Sequence, residues 1–117
     1  MSSPLVSVVI PTYNRREKLE IALGTVLAQD YEHIEIIIIN DASTDNTQVF
    51  LEDLKKKIVH ISTITNSTNL DIQKTLNSGI KIAKGKYIAR LDDDDQWLDI
   101  KKISAQVEFL ESHPEVG

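Results

Sequence analysis

With 117 residues, 41% of them hydrophobic, the chain has the length of one ordinary domain and enough apolar residues to bury a core, which excludes a disordered tail or linker. It has no cysteine, so a disulfide-stapled scaffold and a thiolate metal site are both ruled out, and a reducing, cytoplasmic setting is expected. Thirteen basic residues against eighteen acidic ones leave a net charge of −5; because Asp92, Asp93, Asp94 and Asp95 stand together, the acidity is local, and no basic face suited to nucleic acid remains.

Met1 to Pro4 carries no basic segment, and Ser7 and Pro11 interrupt the apolar stretch that follows, so neither a signal peptide nor an anchor is expected there. Leu5 to Ile10 is β-branched and apolar on both sides, which predicts a buried central strand stopped by Pro11. Leu19, Ala22, Leu23, Val26 and Leu27 recur at three and four residues and predict a helix over Glu17 to Gln29, with Asn14 as its cap. Ile34 to Ile39 is nearly all isoleucine, a second buried strand, ended by the turn residues Asn40 to Ser43. Ser43 to Asp45 offer caps for a short helix through Leu54 that turns Val49, Phe50 and Leu54 inward. The lysines at 55 to 57 suit its negative C-terminal end as a solvated terminus.

Val59 to Ile64 predicts a shorter, less buried strand, and Thr65 to Asp71 a polar loop. Ile72, Leu76, Ile80 and Ala83 form a third helical stripe with Gly85 as terminator. Tyr87 to Leu91 follows as a fourth strand. Beyond Trp97, the stripe Ile100, Ile103, Val107 and Leu110 predicts a fourth helix running to His113 and Pro114. Strict alternation of strand and helix implies an open, mostly parallel α/β sheet with helices on both faces and right-handed crossovers.

In such sheets ligands bind beyond the carboxyl ends of the strands. Those ends carry Pro11, Thr12, Tyr13 and Asn14, then Asn40, Asp41 and Ala42, then the four aspartates. Adjacent carboxylates repel, so a positive partner is expected there, and oxygen ligands without His or Cys suit Mg²⁺ or Mn²⁺. A solvated acidic turn favouring the next helix N-terminus is the plainer reading of the same run. Tyr13 offers a flat face to a nucleobase and Asp41 an acceptor for an imide N–H, a pair of roles that fits uracil. Each also has an ordinary structural reading, as a half-buried ring and as a turn residue. His33, His60 and His113 are scattered, and the four glycines form neither a phosphate loop nor a dinucleotide fingerprint. A metal-dependent phosphohydrolase is disfavoured because Thr12, Tyr13 and Asn14 leave no nucleophilic aspartate after the first strand.

The segments "VSVVIPTYNR", "EIIIINDASTDNT", "LNSGIKIAKGKYIARLDDDD" and "FLESHPEVG" together resemble, in order and spacing, the nucleotide-sugar-binding half of family 2 glycosyltransferases of GT-A fold, over essentially the whole chain. The resemblance implies transfer of a sugar from a nucleoside-diphosphate sugar, UDP-linked above all, to an acceptor hydroxyl with inversion and metal assistance, as in polysaccharide biosynthesis. It implies base binding by Pro11, Thr12, Tyr13 and Asp41, nucleoside-side contacts by Asp92 and Asp93, and Mn²⁺ or Mg²⁺ held by Asp94 and Asp92, with the register of the four aspartates open. The implied acceptor is a glycan, a lipid-linked molecule or another hydroxyl compound, with no nucleic-acid partner. A non-catalytic nucleotide or divalent-metal binding module is the alternative.

Three departures from the family pattern bear on these expectations. Asn40 and Ala42 replace a frequent aspartate and glycine, with a modest change of turn geometry expected. Thr75 and Leu76 replace a frequent alanine and arginine, and Asp71 a common glycine, so a positive contact to the nucleotide is missing. Finally, residues 1–117 correspond to the donor part alone, a C-terminally truncated piece, with the catalytic base expected beyond Gly117. An exposed apolar patch is expected where the other half packs, and membrane association at the cytoplasmic face is expected for the longer protein.

Overall fold

The β-branched runs build one parallel sheet. The computed structural model describes residues 4–68 and 71–113. Their elements are β1 (Val6–Thr12), α1 (Arg16–Leu27), β2 (Ile34–Asn40), α2 (Thr47–Lys57), β3 (Ile61–Thr65), α3 (Ile72–Ile82), β4 (Tyr87–Arg90) and α4 (Lys102–Ser112). The strand order is β3-β2-β1-β4, and all three pairings are parallel. Expectations for Met1 to Ser3, for Asn69 and Leu70 in the polar loop, and for Pro114 to Gly117 fall outside the described residues. Among the described residues, no helix is long and apolar enough to cross a membrane.

Alternation of side chains along each strand splits the interior into two layers. Val6, Val8 and Ile10 of β1 and Ile34, Ile36 and Ile38 of β2 face one side, where they pack with Leu19, Leu23 and Val26 of α1, Leu51 of α2, and Ile103 and Val107 of α4. Burying each such side chain stabilises the fold by roughly 1.5 to 3 kcal/mol. Val9, Ile37 and Ile39 face the other side, against Leu76 and Ala83 on or just after α3.

Several local expectations are corrected. Pro11 does not stop β1, which continues to Thr12 opposite Asn40. The backbone of odd residues points to β4, since Leu5 O and Val9 O accept from Lys86 N and Leu91 N. Pro11 comes just after that last bond, where no further ladder donor is needed. Asn14 does not cap α1, whose cap residue is Arg15. Its φ is 51°, and its Oδ1 accepts from Thr44 N and Asp45 N at 2.7 and 3.2 Å, fastening the β1 end to the β2–α2 loop. In α2, Val49 is 71% exposed and Leu51 is the buried residue, and the cap residue is Asn46, just past the expected Ser43 to Asp45. Asp45 sits at that start, accepting from the Thr47 amide and hydroxyl. Slight desolvation works against its charge, but these bonds outweigh it and hold the carboxyl below its ordinary value. Val59 is fully outside the sheet, and Ile100 lies exposed before α4, where Trp97 takes the buried position.

The largest correction concerns α3. Ile72 and Ile80 of the expected stripe are about half exposed, and the buried residues are Thr75 and Gly79. A Cβ on Gly79 would lie 2.7 Å from Ile39 Cδ1 and 2.8 Å from Val9 Cγ1. The helix therefore rests directly on the sheet through its small residues, and its isoleucines splay to the sides. Gly85 does not end α3 through a left-handed cap, since the described glycines have no positive φ. Instead a Cβ there would meet Ser7 N at 2.6 Å and Leu5 O at 2.8 Å. The buried Ser7 hydroxyl donates to Glu35 and accepts from Gly85 N, while Glu35 also accepts from Lys84 N at 2.6 Å, which locks the α3–β4 turn onto the sheet.

The same end of β4 is also tied to α4. Lys86 Nζ and the Tyr87 hydroxyl both donate to the Glu111 carboxylate. The Lys86 and Tyr87 bonds hold the Glu111 carboxyl below its usual range.

Glycine substitutions test this packing. A Cβ added at Gly24 would meet nothing within 4 Å, so Gly24→Ala should stabilise by about 0.5 to 1 kcal/mol. Gly79→Ala should destabilise by about 1 to 3 kcal/mol through overpacking, and Gly85→Ala by more, because backbone rather than side chain stands in the way; urea denaturation of the three variants reads the order. A group with a lowered folded pKa contributes stability above its unfolded pKa and loses it as pH falls through the folded value. Glu111→Gln should therefore flatten the loss of thermal stability on acidification below about pH 5, measured by melting curves across pH.

Candidate functional site

The chain runs from β1 outward to β2 and β3, then crosses back to place β4 on the other side of β1. The carboxyl ends of β1 and β4 thus flank the point where the strand order reverses, the place where open α/β sheets bind ligands. A cleft of about 220 Å³ opens there, lined by Pro11, Thr12, Tyr13, Arg15, Asp41, Ile72, Thr75 and Asp93.

Asp93 bridges the two strand ends. It is only 6% exposed. Its Oδ2 accepts from Thr12 Oγ1 at 2.9 Å and Tyr13 N at 3.3 Å, and its Oδ1 from Arg15 Nη1 at 3.2 Å. A carboxylate taken out of water needs such donors to remain charged at acceptable cost. Because β4 stops pairing with β1 at Arg90, these bonds are what continue the join beyond the ladder.

Asp41 is 8% exposed at the end of β2. Its amide donates to Thr12 O at 2.9 Å, and its Oδ1 accepts from Asn66 Nδ2 at 2.8 Å. The turn beyond it keeps the geometry that a glycine would favour: Ala42 has φ 61°, a left-handed value that costs a residue with a Cβ roughly 1 to 2 kcal/mol. Asn40 holds the turn from inside, accepting from Ser43 N and donating to Gln48 Oε1. Tyr13 is 45% exposed beside the cleft, so its ring can meet a flat ligand without unpacking the core.

The four aspartates part company. Asp93 turns inward, whereas carboxylate oxygens of Asp92, Asp94 and Asp95 all lie within 4.8 Å of one another, an arrangement able to hold a cation. Arg15 Nη1 lies 3.2 Å from Asp94 Oδ2, and Arg90 Nε 2.9 Å from Asp92 Oδ1. These exposed guanidinium groups supply part of the positive charge the acidic run requires, at the modest strength of surface ion pairs.

Every sequence-predicted site residue therefore lies at one sheet edge: Pro11, Thr12, Tyr13, Asp41 and Asp93 in the cleft, Asp92 and Asp94 in the acidic cluster. Sequence reasoning missed Arg15, Ile72 and Thr75 as lining residues. Arg15 carried a signal, since a cation three residues past the strand end was available to the aspartates. Thr75 carried none, because its burial depends on how closely α3 approaches the sheet. Its Oγ1 is buried without a hydrogen-bond partner among the described residues.

Comparison with known proteins agrees with this geometry. The family model described as glycosyl transferase family 2 matches residues 7–117. The chain is 42% identical over 92 residues to a Haemophilus influenzae protein described as an uncharacterized glycosyltransferase, covering 79% of this chain and 28% of that one. It is 40% identical over 108 residues to the Escherichia coli protein described as UDP-Glc:alpha-D-GlcNAc-diphosphoundecaprenol beta-1,3-glucosyltransferase WfaP, covering 92% of this chain and 42% of that one. Among solved structures, S. aureus TarS 1-349 in complex with UDP-GlcNAc superposes with a TM-score of 0.85 at 26% identity, covering 94% of this chain and 32% of that one. The chain spans less than half the length of these relatives. Its sheet, with helices on both faces, is of GT-A type, and the chain belongs to glycosyl transferase family 2.

Proposed function

We propose that residues 1–117 are the donor-binding part of a transferase that takes a sugar from a nucleoside diphosphate, UDP above all, and passes it with inversion to an acceptor hydroxyl. The observation that carries this reading is the juxtaposition at one sheet edge of a cleft suited to a base and a cluster of three carboxylates. The names of two similar proteins support the choice of nucleotide: the E. coli relative carries UDP-Glc in its description, and S. aureus TarS is solved with UDP-GlcNAc. The former description also names a diphosphoundecaprenol-linked acceptor, which supports a lipid-linked glycan as acceptor and work at the cytoplasmic face of a membrane.

In this reading Tyr13 stacks on the base, Pro11 and Thr12 shape the floor, and Asp41 accepts the imide N–H. Asp93 keeps the strand ends together, and Asp92 contacts the nucleoside side as well as the ion. The all-oxygen donor set of Asp92, Asp94 and Asp95 fits Mn²⁺ or Mg²⁺. When bound, the ion offsets the negative charge of the diphosphate leaving group. Arg15, placed between Asp93 and Asp94, orients the acidic loop and adds a second positive charge near the phosphates.

The base that deprotonates the acceptor lies, in this proposal, outside these residues. Glu111 is unsuited to that task because it is engaged with Lys86 and Tyr87 at the start of β4, the end of the strand opposite the cleft. A neighbouring half would cover β4, whose Ile88 is 47% exposed on the side where α3 lies over β1 and β2. Residues 1–117 are therefore expected to bind the donor nucleotide without transferring sugar.

Two measurements test the site. Calorimetry should show UDP binding in preference to ADP, and Asp41→Ala should cost roughly 1 to 3 kcal/mol of that binding; equal affinity for the two nucleotides, or an unaffected variant, contradicts the base assignment. UDP should bind more tightly with Mn²⁺ present, because a cation bridges two anions that otherwise repel. Asp94→Asn should abolish that enhancement and leave the melting temperature unchanged, since Asp94 is half-exposed on a loop; a variant retaining the full metal effect removes Asp94 from the ion site.

A further inference from the structure

Thr75 combines three properties that belong together only if the cleft is filled. It lines the cleft, it is 1% exposed, and its Oγ1 has no hydrogen-bond partner among the described residues. A helical threonine can turn its hydroxyl to the carbonyl four residues back. Here the Asp71 carbonyl receives the Thr75 amide at 3.1 Å as in any helix, and the hydroxyl does not join it. Buried hydroxyls are normally paired, because an unpaired one has lost its water bonds for nothing. The buried polar side chains that reach the cleft from the strand ends have partners: Thr12 on Asp93, Asp93 on three donors, Asp41 on Asn66.

Position narrows what the partner is. α3 packs on β1 and β2, and Thr75 shares the cleft with Asp41, whereas none of the clustered Asp92, Asp94 and Asp95 is part of its lining. The same lining holds Ile72, one helical turn earlier, and the Tyr13 ring, apolar surfaces suited to a flat heterocycle. We infer that Thr75 is a specificity-determining residue whose Oγ1–H donates to a keto oxygen of the bound base, beside the imide N–H accepted by Asp41. The inference rests on the nucleotide-binding reading above. It assigns to a small hydroxyl on α3 a part of base recognition that neither charge nor motif marks in the sequence.

Thr75→Val removes the hydroxyl at nearly constant shape, and Thr75→Ser keeps it. Titration of the chain with UDP and Mn²⁺ should show about tenfold weaker binding by Thr75→Val, the usual consequence of losing one hydrogen bond and stranding its partner, with Thr75→Ser close to the wild type. Without nucleotide, Thr75→Val should melt at or above the wild-type temperature, since it deletes an unpaired polar group; a hydroxyl with a structural role would instead lower the melting point and leave UDP affinity intact. Thr75→Ala provides a second hydroxyl-free variant if valine disturbs the packing. A folded hydroxyl-free variant that binds UDP as tightly as the wild type overturns the Thr75 assignment and leaves the nucleotide reading standing. Failure of the wild-type chain itself to bind UDP overturns the nucleotide reading and this inference with it.

Discussion

The buried carboxylate of Asp93 is the contact on which the rest of the site depends. The β1–β4 pairing ends at Val9 and Arg90, and Leu91 N on Val9 O is its last backbone bond, so beyond that point the two strand ends are joined through side chains. Three donors from Thr12, Tyr13 and Arg15 converge on Asp93 and close that gap. Consecutive residues of a loop cannot all point inward. With Asp93 committed to β1, its neighbours Asp92, Asp94 and Asp95 are presented outward as a group, close enough for one cation. The same bond therefore organises the cleft and the ion site beside it.

A second constraint acts from the opposite face of the sheet. The absence of a Cβ on Gly79 lets α3 settle on Val9 and Ile39, and the Ser7–Glu35 pair with Gly85 fixes where the chain leaves α3 for β4. That close approach brings Ile72 and Thr75 to the cleft as its wall. A helix held one methyl farther away would leave Thr75 hydrated and the cleft open on that side. Packing at Gly79 and recognition at Thr75 are thus neighbouring consequences of a single geometry, on one helical turn of spacing.

Charge is better balanced than the sequence suggests. Four adjacent aspartates read as an unbalanced run, yet Arg15 and Arg90 stand against three of them. Arg90 meets Asp92 within one short segment, but Arg15 follows β1 as the cap residue of α1, so its share of the compensation, against Asp93 and Asp94, exists only once β1 and β4 are side by side.

The alternation of strands and helices, the parallel sheet and the clustering of Pro11, Thr12, Tyr13, Asp41 and the aspartates at the strand ends were legible in the amino-acid sequence. Those features follow from local causes: β-branched runs, helical spacing of apolar residues, turn chemistry, and the rule that a parallel sheet gathers its carboxyl ends on one edge. Which apolar residues of α2 and α3 are buried, what Asn14 and the glycines at 79 and 85 are for, and which aspartate turns inward became visible with the packed fold. Those outcomes depend on the distance between a helix and a sheet, and on contacts between residues far apart in the chain, such as Thr12 with Asp93. A hydrophobic stripe tells how strongly a face prefers burial but not how near its partner can come, and at α3 two small residues, Thr75 and Gly79, settled that distance.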